Sequence, residues 1–282
     1  MEVLDKKIHR VVAIGNFDGL HLGHKKLIER LKYIAKVNNL EPLVYIIERH
    51  YVAERILTKK QKVDILKDMG ICNIYFEDFT EEFKSMRKDE FINKVLKDKF
   101  NVEAVVSSYD FRFGKDREGD IDYLKKFFNV EVVEKINGIS STNVRKLLRD
   151  GNVKEANKLL GREFSLLGTV VVGLKIGGTI GFRTANMKID NETILPSNGV
   201  YKTKTCYNDK IYDSITNIGY NPTISSLKYK SIETNIFDFD EDIYGKDIEV
   251  YFLDKIRDEK KFKDVKELVS QIEKDIKKVR KV

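Results

Sequence analysis

The chain has no tryptophan, only three prolines, four histidines and two cysteines. Cys72 and Cys206 stand far apart in sequence and no disulfide framework is expected, which fits a reducing cytoplasm. No run of about 18 apolar residues occurs, which excludes a membrane-spanning helix. The opening Met1-Glu2-Val3-Leu4-Asp5-Lys6-Lys7 is charged and lacks the apolar core of a secretion signal, so a cytoplasmic protein without a membrane partner is expected. Internal repeats and low-complexity tracts are also missing. Basic residues exceed acidic ones by a net +7 but are scattered among them, without a basic cluster interleaved with aromatics. No nucleic-acid partner is therefore expected, and small polyanions account for the excess equally well. Association into oligomers is left open.

What is present suffices for two domains: 282 residues, 41% of them hydrophobic. Scarce histidine makes its placement informative, because two of the four fall in Gly15-Asn16-Phe17-Asp18-Gly19-Leu20-His21-Leu22-Gly23-His24. This stretch follows an apolar strand, Val11 to Ile14. It precedes a helix, Lys25 to Val37, with Leu27, Ile28, Leu31, Ile34 and Ala35 on one face. Strand, glycine-rich turn and helix start together aim main-chain N–H groups at phosphate oxygens, and glycine permits close approach or unusual dihedrals. His21 and His24, three apart at the helix entrance, are placed to converge on one anion. His-x-x-His is also half of a metal site, but zinc requires further ligands nearby and no cysteine lies in this region. Two merely structural histidines are the remaining alternative.

Strands at Pro42–Ile47, Asn73–Phe76, Val102–Val106 and Val130–Val133 alternate with helices at Lys60–Met69, Asp89–Leu96 and Asp120–Phe128. The second helix places Val63, Leu66 and Met69 inward. Such alternation indicates an α/β domain with a parallel sheet, which binds ligands at the carboxyl ends of its strands. Ser107 to Gly119 leaves such an end carrying Tyr109, Asp110, Phe111, Arg112 and Phe113: rings for stacking, an acid and a base, or a loop with core phenylalanines. Ile139-Ser140-Ser141-Thr142-Asn143-Val144-Arg145 offers hydroxyls that cap a helix or bind phosphate. A helix follows at Val153–Leu160.

From Phe164 the pattern changes to short β-rich runs: Gly168–Leu174, Val200–Tyr207, Ile211–Ile218, Ile232–Asp238 and Ile248–Leu253. An antiparallel barrel or sandwich is expected. A closing helix carries Val265, Leu268, Val269, Ile272, Ile276 and Val279 on one face. The boundary lies near residues 161–165, separating domains 1–162 and 163–282.

The stretch Gly15 to His24 resembles the nucleotidyl-transferase signature of the bacterial bifunctional riboflavin kinase/FMN adenylyltransferase (FAD synthetase) family. Asp110-Phe111-Arg112-Phe113-Gly114 and Ile139-Ser140-Ser141-Thr142-x-x-Arg145 are similar to that family's later segments. The second half resembles its riboflavin kinase module in Gly181-Phe182-Arg183-Thr184-Ala185-Asn186, Leu195 to Tyr201, Asn217 to Thr223, Glu233 to Asp240 and Tyr244-Gly245-Lys246. The resemblance implies a Rossmann-like nucleotidyl-transferase domain followed by a six-stranded Greek-key barrel with a C-terminal helix. It implies two reactions, riboflavin to FMN and FMN to FAD, with ATP as co-substrate and Mg²⁺ as cofactor. His21 and His24 would neutralise charge on the ATP α-phosphate, with Gly15, Asn16, Phe17, Asp18 and Gly23 shaping the site. Asp110, Phe111, Arg112, Ser141 and Thr142 would complete it, and Arg145 would steady pyrophosphate. In the barrel, Glu233 would be the base for the ribityl 5′-hydroxyl. Thr184 and Asn186 would hold Mg²⁺-ATP, and Gly173, Lys175 and Asn217 would line the same site.

The chain departs from the family pattern in four places. Ile46 to Tyr51 keeps only the histidine of Thr-Phe-x-Pro-His-Pro. Arg183 replaces a proline, Ser108 replaces a glycine, and Ile176 and Gly178 stand where a glycine loop carries arginines. A descendant that has lost an activity and binds flavin or nucleotide as a sensor is the alternative these changes raise.

Overall fold

Arg10–Gly15 forms the first strand, β1, with Val11, Val12 and Ala13 wholly buried, as a strand covered on both sides requires. The computed structural model describes residues 7–48, 54–173, 182–220 and 230–280. They fall into two compact units, Met1–Ser141 and Thr142–Val282.

In the first unit β1 leads into α1 (Leu22–Asn38), then β2 (Glu41–Glu48), α2 (Lys59–Asp68), β3 (Asn73–Asp78) and a short α3 (Glu81–Ser85). Next come α4 (Lys88–Glu90), running on as a π-helical stretch Phe91–Lys99, β4 (Val102–Ser108), α5 (Ile121–Leu124) and β5 (Asn129–Val133). The strands pair in parallel in the order β3-β2-β1-β4-β5. Chain order reverses at β1, so the turn after β1 opens at the switch point where doubly wound sheets hold ligands.

Two helices differ from expectation. The helix expected over Asp120–Phe128 is a single turn. Asp120 caps it, accepting from Tyr123 N at 2.9 Å, and the chain then curls through Phe127 N to Leu124 O (3.0 Å) to bury Phe128. On α2, Leu66 is buried as expected, but Gln61 and Lys62 are buried too, while Val63 and Met69 are only half-covered. Gln61 turns inward because it closes a capping box with Thr58.

In the second unit α6 (Ser141–Arg149, whose first residue still belongs to the first unit) and α7 (Val153–Leu160) precede a closed antiparallel barrel. Its strands are β6 (Phe164–Val171), β7 (Ala185–Ile189), β8 (Gly199–Tyr207), β9 (Lys210–Tyr220), β10 (Lys230–Ile236) and β11 (Asp247–Arg257). Around the barrel the order is β10-β7-β6-β11-β8-β9, with the Greek-key crossovers that order implies. The composition shifts near residue 163, whereas compactness divides the chain after Ser141. The carboxamide of Asn157 on α7 donates to Phe252 O at 2.8 Å and accepts from Phe164 N at 2.7 Å, which ties this helix to the barrel.

β6 begins at Phe164, earlier than its glycine suggested, and Leu174 lies outside the described residues. β7 is absent from the sequence expectation although Ala185, Met187 and Ile189 alternate with Asn186 and Lys188 as in a half-buried strand; at five residues the run is short. On α8 (Val265–Arg280) Val279 is buried and Val265 is 57% exposed. The most buried polar residue of that helix is Asp275, held by Arg257 through Nε and Nη2, both at 2.8 Å.

Candidate active sites

In the first unit the signature turn leaves the carboxyl end of β1. Gly15 and Gly23 allow close approach of the protein's own rings: a Cβ on either would lie 3.2 Å from Phe17 and His21 respectively. The left-handed backbone falls on Phe17 (φ 50°) and Leu20 (φ 41°), both buried. Such residues need surrounding contacts to hold them there. Asp18, only 3% exposed, accepts from Ile56 N at 3.0 Å and thereby anchors the turn.

His21 is the N-cap of α1, and its Nδ1 accepts from His24 N at 3.3 Å. That acceptor role leaves Nε2–H as the donor. The two imidazoles stack, centroids 3.8 Å apart and planes 11° apart, with Phe17 5.2 Å from His24. The structure thus brings both histidines together at a helix N-terminus, where fixed partial charge favours an anion. Among the described residues no group of three or more His, Cys, Asp or Glu could hold a metal ion.

β4 pairs with β1 in parallel, so the segment after Ser108 leaves the same edge of the sheet. Asp110 and Arg112 are exposed there, and Phe111 stacks at 5.8 Å on buried Phe113. Phe113 and Gly119 exchange main-chain bonds (3.1 and 2.9 Å) that close the loop. Ser141, Thr142 and Arg145 occupy the start of α6, and the division between the units falls inside this motif.

Lys62 had no place in the sequence reading. It is 1% exposed, and its Nζ donates to the Asn16 carbonyl at 3.2 Å, beneath the signature turn. Burial holds its pKa below the ordinary lysine value, against the opposing charges of Asp18 and Glu48. A run such as Lys59-Lys60-Gln61-Lys62 reads as a solvated face, and nothing in its spacing signals the inward lysine.

In the barrel, alternation sorts residues to two faces. Thr203, Thr205, Ser214, Thr216 and Thr234 are wholly buried and linked by hydroxyl contacts of 2.8–2.9 Å. The opposite face of the same strands carries Glu233, directly across from Asn186 on β7 and Asn217 on β9. These three residues, far apart in sequence, form one half-buried row. Burial raises the Glu233 pKa, and a hydrogen bond with Ser231 opposes that shift.

Glu233 and Asn217 open into a cavity of about 290 Å³ walled by Phe182, Phe262 and, from α8, Leu268 and Ile272. The half-covered apolar face of α8 is therefore a cavity wall. A second cavity of about 380 Å³ lies beside Arg183, Phe239, Asp240 and Tyr244, and Thr184 lines both. Asn235 Nδ2 donates to Arg183 O at 2.6 Å and holds the strand entry that carries Thr184. Gly173 backs onto the Asn186 carboxamide, where a Cβ would overlap it. Lys175, with the rest of 174–181, lies outside the described residues.

A FAD synthetase family profile matches residues 4–145, and a riboflavin kinase family profile matches residues 160–282. The bifunctional riboflavin kinase/FMN adenylyltransferase of Buchnera aphidicola subsp. Schizaphis graminum is 38% identical over 300 residues, covering 98% of this chain and 95% of that one. Its counterpart in Bacillus subtilis is 36% identical over 292 residues, covering 97% and 92%. This chain belongs to the bifunctional riboflavin kinase/FMN adenylyltransferase family. A solved structure described as a macrolide-efflux protein from Streptococcus pneumoniae is 34% identical with a TM-score of 0.88, covering 97% of this chain and 94% of that one. Among the described residues no helix is long and apolar enough to cross a membrane.

Of the departures from the family pattern, Arg49 to Tyr51 and Ile176 to Gly178 lie outside the described residues. Arg183 is exposed at the second cavity, where a guanidinium can meet phosphate. Ser108 ends β4 without interrupting its pairing with β5. The sequence reading also missed the Arg257–Asp275 pair, because an acid on the apolar side of a helix is recognisable only once its partner is seen.

Proposed function

We propose that this protein makes FAD from riboflavin in two ATP-dependent steps, with the kinase in residues 163–282 and the adenylyltransferase in residues 1–162. The observation that carries the kinase assignment is the Asn186–Glu233–Asn217 row, with Thr184 lining both neighbouring cavities. A carboxylate beside an apolar cavity suits a substrate that is a flat ring bearing a polyol. The second cavity, with Arg183 at its rim, suits a nucleotide.

In the first step the Glu233 carboxylate takes the proton of the riboflavin 5′-hydroxyl as that oxygen attacks the γ-phosphorus of ATP. The bond to ADP breaks, FMN forms and ADP leaves. Thr184 and Asn186 contribute a hydroxyl and a carboxamide oxygen, hard donors of the kind that suit Mg²⁺. Bound there, the cation would neutralise charge on the ATP phosphates. Gly173 and Asn217 keep the Asn186–Glu233 geometry, and Lys175 belongs to the same glycine loop.

In the second step an oxygen of the FMN phosphate attacks the α-phosphorus of ATP, and pyrophosphate leaves. FMN phosphate is already a nucleophile, so the protein need only align reactants and offset developing charge. The His21 Nε2–H and His24 at the α1 N-terminus support that role. Asp110, Phe111 and Arg112 on the neighbouring strand end would hold the reactants, and Ser141, Thr142 and Arg145 would hold pyrophosphate. Free Cys72 and Cys206 fit a cytoplasmic setting.

Purified protein given Mg²⁺-ATP with riboflavin or with FMN tests the assignment by chromatography of the flavins. Phosphorylated flavin in the first tube and FAD in the second are expected. Folded protein that binds flavin and yields neither product sinks it.

A further inference from the structure

Lys62 is a buried cation that neither reaction uses. It reaches from α2 to the signature turn, with Nζ 3.2 Å from the Asn16 carbonyl oxygen. Its charge is met from inside the protein: Asp18 and Glu48, 3% and 8% exposed, attract it, while Arg55 and Lys59 oppose it. At 1% exposure, and compensated in this way, the ammonium is a fixture of the turn and unsuited to contact phosphate itself.

Peptide geometry shows what that fixture does. In a trans peptide the carbonyl of one residue and the N–H of the next point in opposite directions. Drawing the Asn16 oxygen toward Lys62 therefore turns the Phe17 N–H away from it. Among the described residues that N–H meets no acceptor. Phe17 itself sits at φ 50°, a backbone state that a phenylalanine keeps only when its surroundings impose it.

We propose that Lys62 is a positioning residue for adenylyl transfer, pinning the Asn16–Phe17 peptide so that the Phe17 N–H is presented to a phosphate oxygen of ATP. This rests on the adenylyltransferase assignment of the first domain. Lys62 touches no reacting atom; it acts through the peptide that it holds.

The full chain and its Lys62→Met and Lys62→Arg variants test this. Each is assayed for FAD formation from FMN, for riboflavin phosphorylation (FMN plus FAD formed) and for thermal unfolding. Lys62→Met is expected to lose about 100-fold in kcat/KM for ATP in FAD formation, the scale of one misdirected main-chain donor. Its KM for FMN and its phosphorylation of riboflavin stay at the wild-type values. Lys62→Arg, which keeps a cationic donor within reach of Asn16, recovers most of the loss. FAD formation by Lys62→Met equal to wild type overturns the inference. Loss of ATP and FMN affinity together, with a lowered unfolding temperature in both variants, also overturns it by making Lys62 a purely structural residue. Wild-type protein that forms no FAD removes the adenylyltransferase assignment itself, a result distinct from either.

Discussion

Gly173 lies so close against Asn186 that a side chain on the glycine would overlap the carboxamide. Asn186 is in turn the register partner of Glu233, the base in the proposed kinase reaction, so a methyl group at residue 173 would displace that row. Gly173→Ala is expected to slow riboflavin phosphorylation roughly 100-fold, the usual cost of a misplacement near 1 Å, while FAD formation from FMN is unchanged. Initial rates with each flavin, supplied separately, check this.

By the kinase assignment Glu233→Gln removes the proton acceptor, and it is expected to cost about 10²- to 10⁴-fold in phosphorylation. Burial raises the Glu233 pKa, so the active ionised form is lost as pH falls through a value above the ordinary glutamate range. The wild-type pH–rate profile should show that acid limb, and the variant should not. The stability sign is opposite to that of a salt-bridged acid. A carboxyl whose folded pKa is raised destabilises the fold above that pKa, and the cost disappears as pH falls. Glu233→Gln should therefore unfold at no lower a temperature than wild type at neutral pH.

His21 caps α1 and, by the adenylyltransferase assignment, donates to phosphate, and two substitutions separate those roles. Asparagine caps well but lacks the imidazole, whereas alanine does neither and should cost about 1 kcal/mol in stability. Both should reduce FAD formation, with His21→Ala alone also lowering the unfolding temperature. Equal thermal stability of the two variants would refute the capping role.

Asp275 and Arg257 are 6% and 15% exposed at their side chains and bonded at 2.8 Å. Removing one partner of such a pair costs about 3–5 kcal/mol, because the other charge stays buried alone. Asp275→Ala should destabilise the barrel domain and raise the KM for riboflavin, because α8 carries Leu268 and Ile272 in the cavity wall. The double variant Arg257→Met/Asp275→Leu should recover stability, as unfolding curves of the three proteins would reveal.

Much of this protein is settled by local physics. The apolar run of β1, the glycine-rich turn and the amphipathic α1 announce the strand–turn–helix unit, because each depends only on neighbours along the chain. The change of period after Phe164 announces the barrel for the same reason. Tertiary structure decided three other things. Strand register aligned Asn186, Glu233 and Asn217, and no spacing along the chain encodes that row. Burial turned Lys62 beneath the signature turn, where the turn's carbonyl and nearby acids offset the cost of enclosing a charge. Pairing with Arg257 drew Asp275 out of solvent and made the apolar side of α8 the wall of a cavity. In each case the partner is distant in sequence, so the chemistry exists only once the chain has folded.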